Sequence, residues 1–436
     1  MPILDSGLLI NAAVNKTAKL MVSVINTGLY VPSIRMELYT VQLAGATEGY
    51  GKLCALDSQR MMLSRSGVEE SVYLASFDVN WLDTFGIRIL ADGLGANDVI
   101  ATVTELDEQG AVLRRRLLEP SAVRLEEYQL AYIVNHAQHS VTVMQTVTHA
   151  RVAAIQLPKG SRPRHIAASP DGARVYLTCH GDRTVKIIEN LTYNSERDIT
   201  FPGSAVPYAI ALSNDGRKAY VTTLVTDAFH IIDTDTGRIQ HTVTLPVSCE
   251  ASAIALSPDG NSICICMTGA AKLVLMDAES GQVRTVVQLP EGSQPSSAAF
   301  LPNGSAIYVT DVKYNCVFVI QIEGRLVAAR VELEKGGKPS AVMITPDGAL
   351  AYIANREGDE LTVINTARQE VLTSVELPSG SSANGLACTS DGTKIYVPLL
   401  SFGYVAVIDV QSQLPIAIVP TGSFPSAVAI TQQPPL

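Results

Sequence analysis

Histidine is unevenly placed in this 436-residue chain: four of seven, His136, His139, His165 and His180, fall on what reads as one face of two successive repeats, beside Arg162 and Arg164. Imidazole changes charge near neutral pH, so such a set can hold an anion or a metal, or act as general base in opening a lactone or ester. Polar loops also carry such residues without any chemistry, and no neighbouring motif decides between the two. The sequence has no Gly-x-Ser-x-Gly nucleophile elbow, no glycine-rich phosphate loop, no His-Glu-x-x-His pair and no Cys-x-x-Cys-His haem signature. Cys264 and Cys266 have no second pair at zinc spacing and read as small apolar side chains on one strand face. The seven scattered cysteines read as reduced thiols. These patterns assign no catalytic residue, no metal and no cofactor.

An internal repeat defines the elements that must carry these side chains. Ser169-Pro170-Asp171-Gly172 returns as Ser213-Asn214-Asp215-Gly216 and Ser257-Pro258-Asp259-Gly260, and three more times up to Thr389-Ser390-Asp391-Gly392, always 44 residues apart. Seven such units fill 129–436. Within a unit, runs such as Tyr176-Leu177-Thr178 and Phe229-His230-Ile231-Ile232 are β-branched and aromatic, as strands prefer. The Asp-Gly pairs supply the positive-φ residues of tight hairpins. Four short antiparallel strands per repeat make a propeller blade, and blades must stack because one alone cannot bury its faces. The fourth run is Ala-rich, as in Ala209-Ile210-Ala211-Leu212, which suits a crowded innermost strand. The first unit begins on the second strand of a blade, so residues 426–431 are expected to pair with 131–135 and close the ring.

In a propeller, two loop classes share one end of the central channel: those entering the innermost strand, and those joining the second and third strands. They place His136, Arg162, Arg164, His165, His180, Tyr208, Glu250, Lys338 and Arg356 at one mouth, together with Asn384, Phe424 and Asp227. These side chains differ from blade to blade on a regular frame, which is where a binding specificity would be written. The nine are the candidate ligand-binding set, for a protein, small-molecule or polymer partner.

The units resemble the YVTN-type β-propeller repeat. The Tyr-Val-Thr-Asn position reads Tyr132 to Asn135, Tyr176 to Cys179, Tyr220 to Thr223, Tyr308 to Asp311, Tyr352 to Asn355 and Tyr396 to Leu399, and departs to Cys264-Ile265-Cys266-Met267 in the fourth blade. That resemblance implies a seven-bladed propeller. The family includes surface-layer proteins and lactonase-like enzymes, so it implies no single activity.

Residues 1–128 show no such echo. Alternating segments at 19–25, 34–41, 71–77, 85–91 and 99–105 predict a separate immunoglobulin-like β-sandwich, making the whole chain all-β. Arg114-Arg115-Arg116 reads as a solvated strand edge. A formal charge of −10 with no basic stripe argues against nucleic acid, and no run of 18 apolar residues occurs to span a membrane. The start of the chain offers no basic leader, so a protein made in and first kept in the cytosol is expected. The leading expectation is a non-catalytic scaffold, possible on a cell or spore surface, self-associating through residues 1–128. The alternative is a lactonase-like hydrolase using His165 or His180 with Arg164.

Overall fold

In the computed structural model the described residues are 129–432, apart from 148, 150, 191–192, 194, 246–249, 325 and 334–336, together with the backbones of nine strands before residue 118. The chain forms two compact units, Met1–Glu127 with Pro435–Leu436, and Tyr128–Pro434.

The first unit holds two antiparallel sheets. One runs Ile3–Asp5, Thr84–Asp92, Ser33–Leu43, Gly51–Met62, with Leu9–Ile10 also on Thr84–Asp92; the other runs Tyr73–Asp78, Lys19–Asn26, Val99–Leu106, Val112–Leu117. The arginine triplet lies on the edge strand Val112–Leu117, opposite Val103, Thr104 and Glu105. The expected immunoglobulin-like packing of these sheets lies outside the described residues.

The second unit is a seven-bladed β-propeller of four-stranded antiparallel sheets. Blade two shows the pattern, with innermost Pro163–Ala168, then Arg174–Cys179, Thr184–Glu189 and outer Ser195–Thr200. Blade one takes Gln129–Asn135, Ser140–Gln145 and Arg151–Gln156 from the start of the ring, and its innermost strand, Pro425–Gln432, from the end. Tyr132 lies opposite Ala429 and Val134 opposite Ala427. This pairing joins the two ends of the ring and leaves no inner edge strand open.

Burial explains the sequence pattern. Second and third strands are covered on both faces by neighbouring blades, so Gln129–Asn135 and Ser140–Gln145 are buried throughout and read as continuous rather than alternating runs. The outer strand Leu326–Glu332 alternates between exposed and partly buried residues. Small residues on the innermost strands face large ones on the next: Ala167, Ala211, Ala299, Ala387 and Ala429 oppose Tyr176, Tyr220, Tyr308, Tyr396 and Tyr132. Several buried tyrosines also tie one blade to the next. The hydroxyl of Tyr308 donates to the Thr366 carbonyl at 2.9 Å, that of Tyr396 to the Thr146 carbonyl at 3.3 Å, and that of Tyr132 to Asn190 Oδ1.

The turns are held by short polar side chains. Asp171 Oδ1 accepts from the Ser169 hydroxyl at 2.5 Å and from the Ala173 amide at 2.9 Å, while Gly172 adopts φ 69°. Ser213 with Asp215, and Thr345 with Asp347, repeat the arrangement. The turn between second and third strands needs one residue in the left-handed region: His139, Arg183, Asp227, Ala271, Asn315 and Asp359 adopt it in six blades, and Gly403 in the seventh.

Deleting residues 425–436 should expose the edge of Gln129–Asn135 and abolish cooperative thermal unfolding; a truncated chain melting like the full one would show ring closure to be dispensable. Tyr308→Phe removes one inter-blade bond and should cost about 1 kcal/mol, read as a lowered urea midpoint at unchanged m-value.

Candidate functional site

The innermost strands line a central cavity of about 700 Å3 that opens at the predicted mouth. One position per blade forms a layer around it: Arg164, Tyr208, Ser252, Ser296, Ser340, Asn384 and, in the ring-closing strand, Ser426. Five of these side chains turn sideways and bond the backbone of the following blade. Ser252, Ser296 and Ser340 donate to the carbonyls of Pro295, Pro339 and Ala383 at 3.1, 2.8 and 3.0 Å. Asn384 donates to the Ser426 carbonyl at 2.7 Å, and Ser426 to that of Arg164 at 3.0 Å. Arg164 and Tyr208 break the pattern. Arg164 donates to the Tyr208 hydroxyl at 3.3 Å and lies 5.5 Å from the centre of its ring.

The adjacent position narrows the channel further, and reads His165, Ala209, Ala253, Ser297, Ala341, Gly385 and Ala427. His165 is the one large side chain in that layer. Its ring lies 5.1 Å from that of Tyr208, and no hydrogen bond reaches its nitrogens among the described residues. Blade seven departs from regular strand here: only Ala387–Cys388 pair continuously, and Gly385 turns at φ 82° with the backbone of Ser426 and Ala427 too close to accept a bulky side chain. That irregularity brings Asn384 Oδ1 within 2.8 Å of an Arg356 guanidinium nitrogen.

Six of the nine candidates, Arg164, His165, Tyr208, Glu250, Lys338 and Arg356, line the cavity. Lys338 pairs with Glu357 at 2.5 Å on the exposed rim. His180 stands behind Tyr208, its ring 5.4 Å away, and its Nε2 is buried without a partner. His136 lies 6.4 Å beyond His180 and donates through Nδ1 to the Pro163 carbonyl at 2.8 Å. Arg162 does not line the cavity. Its left-handed backbone, φ 48°, carries an exposed side chain, while its carbonyl accepts from the His180 amide at 3.1 Å. The loop beneath is anchored by Asp182, which accepts from Ser161 at 2.6 Å and pairs with buried Lys186 at 3.4 Å. The serines of the wall and exposed Val225, left-handed at φ 73° on the rim, were not singled out by sequence. Comparing one column across the seven blades is the signal that finds the serines.

Electrostatics set the character of the mouth. Arg164 bonds the Tyr208 hydroxyl and Arg356 bonds Asn384, whereas the rim carboxylate Glu357 pairs with Lys338. Burial, then the nearby Arg164 charge, holds the Arg356 guanidinium below its ordinary value. Burial pushes His165 down to about 3, with Arg164 and His180 adding to the effect. Burial, followed by Arg164, His136 and Arg162, takes His180 to about 4. His136 is lowered for the same reasons, burial first. At neutral pH the site therefore presents uncharged imidazole beside the Arg164 and Arg356 guanidinium groups, with the Glu250 and Asp227 carboxylates also on the cavity wall. Such a site binds anions, offers a neutral base, and disfavours a further cation. Among the described residues, no three His, Cys, Asp or Glu side chains are grouped to hold a metal ion.

A family model described as "Lactonase, 7-bladed beta-propeller" matches residues 130–330 and, in a second overlapping alignment, 253–411. Among solved structures, Kuenenia stuttgartiensis hydrazine synthase aligns over 62% of this chain and 89% of its own, at 19% identity and a TM-score of 0.55. A functionally unknown protein from Desulfotomaculum acetoxidans DSM 771 aligns over 69% of this chain and 98% of its own, at 18% identity and a TM-score of 0.59. At those identities the likeness concerns the fold alone. No curated protein matches the sequence.

Imidazole resonances followed by NMR from pH 8 downward should show His165 and His180 staying neutral until about pH 4 or below. Arg164→Met removes a charge that opposes protonation, so both midpoints should rise, yet stay under the ordinary histidine value because burial remains. Midpoints near 6.5 in the wild type would mean the rings are not buried as described.

Proposed function

The chain belongs to the lactonase family of seven-bladed β-propellers, and from that premise we propose that its channel mouth binds an anionic lactone or related ester and hydrolyses it. One observation carries the reading: a single histidine, His165, stands in a layer otherwise built of Ala, Ser and Gly, directly beside Arg164 on the cavity wall. A scaffold does not require a bulky, unbonded imidazole in the wall of its channel. His165 is preferred to His180 as the base because it lines the cavity, whereas His180 is shut behind Tyr208.

In this reading Arg164 and Arg356 hold the acidic group or the carbonyl oxygen of the substrate. A water molecule attacks the carbonyl carbon as neutral His165 takes its proton, and the carbonyl electron pair moves onto oxygen beside the guanidinium groups. That oxyanion collapses, the ring C–O bond breaks, and the imidazolium returns the proton to the departing oxygen, leaving a hydroxy acid. The arginines act mainly where charge develops, and the anion they hold lifts the basicity of His165 toward the working range.

The non-catalytic scaffold is the second reading. The mouth would then bind an anionic ligand without turnover. Self-association through residues 1–128 and a place on a cell or spore surface remain separate proposals; neither the family match nor the two structural neighbours points to a surface.

On a panel of lactones carrying an acidic group, His165→Ala should lower kcat/KM by about 10²–10⁴, while Arg356→Ala should act mainly by raising KM. The base must be uncharged, so kcat/KM, which reports the free enzyme, should be lost only as pH falls through about 3, whereas the midpoint of kcat should lie higher because the bound anion favours the imidazolium. If the wild type turns over no member of the panel, the hydrolase reading is overturned and the binding reading stands.

A further inference from the structure

The tyrosine column breaks once. Where the other blades carry Tyr132, Tyr176, Tyr220, Tyr308, Tyr352 and Tyr396, blade four carries Cys264. The residue that meets this side chain from the next blade, 58 positions later, changes with it. Asn190, Thr366 and Thr146 receive the hydroxyls of Tyr132, Tyr308 and Tyr396, whereas Ile322 packs in one cluster with Cys264. Leu275 pairs with Cys264 where Val143, Val319 and Val363 pair with tyrosines, but one extra methylene does not replace a phenol ring.

At this interface a cavity of about 490 Å3 opens on the face opposite the channel mouth. Leu275, Phe300, Pro302 and Ile322 form its apolar wall, and Asp259 and Ser262 its polar one. The corresponding groove between blades three and four, where Tyr220 is in place, measures about 230 Å3. None of the residues lining the larger cavity is basic. Bonds from Ser257 and the Asn261 amide hold the Asp259 carboxyl below its ordinary value, so it is an ionised acceptor at neutral pH.

We propose that the interface between blades four and five is a second binding site, which takes a small neutral aromatic alcohol of the phenol class. The chain itself supplies the precedent, since its other blades each bring a phenol ring to the equivalent position. Phe300 offers the ring an aromatic neighbour, and the aliphatic wall excludes water from its faces. Asp259 accepts the hydroxyl and repels aromatic acids. The site is independent of the mouth, which favours anions.

Saturation-transfer NMR on the full chain, with phenol as probe and benzoate as control, tests it. The wild type should give a phenol signal, and any benzoate signal, which the cationic mouth can produce, should be untouched by changes at this interface. Ile322→Trp should fill the cavity and remove the phenol signal. The double change Cys264→Tyr with Ile322→Thr should do the same and raise Tm, because it recreates the pair formed by Tyr308 and Thr366. If the double variant does not fold, Ile322→Trp alone carries the test. Crystals soaked in 4-bromophenol should place an anomalous bromine peak between Leu275 and Ile322. No phenol signal in the wild type, a phenol signal kept in a folded variant, a benzoate signal lost in Ile322→Trp, or bromine only in the central channel would each overturn the proposal.

Discussion

Seven innermost strands converge on one axis, and the space left between them dictates most of what this propeller does. The layer that holds Ala209, Ala253, Ala341, Gly385 and Ala427 admits little more than a methyl group per blade. Strands so crowded cannot rely on their own side chains for cohesion. Each blade is instead bonded to the next, by serine hydroxyls to carbonyls near the channel and by tyrosine hydroxyls further out. Those bonds have a second consequence. A serine that donates its proton to the next blade has only lone pairs left for the cavity, so that arc of the wall offers acceptors, while Arg164 and Arg356 supply donors. The polarity of the mouth is thus partly a by-product of how the ring is held together.

Electrostatic strain at the mouth follows from the same geometry. Arg164 and Arg356 line a partly enclosed cavity together with Glu250, Asp227 and Lys338, and the Arg164 charge adds to burial in holding the Arg356 guanidinium below its ordinary value. Three histidines nearby remain neutral because burial first, and then the Arg164 guanidinium among other charges, opposes a further proton. An anion entering the cavity relieves both effects at once: it compensates the arginines and makes the imidazoles easier to protonate. Anion binding and histidine basicity are therefore coupled in sign, and a hydrolase exploits that coupling by becoming competent mainly when its substrate is present.

The blade count and strand order were legible in the sequence because each rests on a period. Asp171-Gly172 and its copies mark hairpins whose φ > 0 requirement glycine meets openly, and the Ala-rich runs mark crowding. The second-to-third strand turns were less legible, since six blades satisfy the left-handed position with His139, Arg183, Asp227, Ala271, Asn315 and Asp359, which share no side-chain type. Listing polar residues on the mouth loops gathered Arg164, His165, Tyr208 and Arg356, which line the cavity, but it also gathered Arg162, whose left-handed backbone carries an exposed side chain outside the lining. It passed over Ser252, Ser296 and Ser340 because a serine on a strand looks unremarkable until its partner carbonyl in the next blade is seen. In residues 1–128, Gly51–Met62 forms a strand although its mixed polarity, as in Ala55-Leu56-Asp57-Ser58-Gln59-Arg60, hides the alternation.

A repeat also supplies its own control. With a single sequence, no column of relatives separates a chosen residue from an accidental one, but seven copies of a blade under the same packing rules form such a column within one chain. A substitution that packing explains should fit its neighbours, and Leu275 beside Cys264 partly does. A substitution that packing resists, yet which persists, must answer to something besides the fold. His165 among alanines is of that kind: it takes up room where room is scarcest, and burial deprives it of charge without giving it a hydrogen bond. The fold alone would favour alanine there, as it does in four of the other six blades, so the imidazole is best understood through what it meets in the channel rather than through what it contributes to the ring.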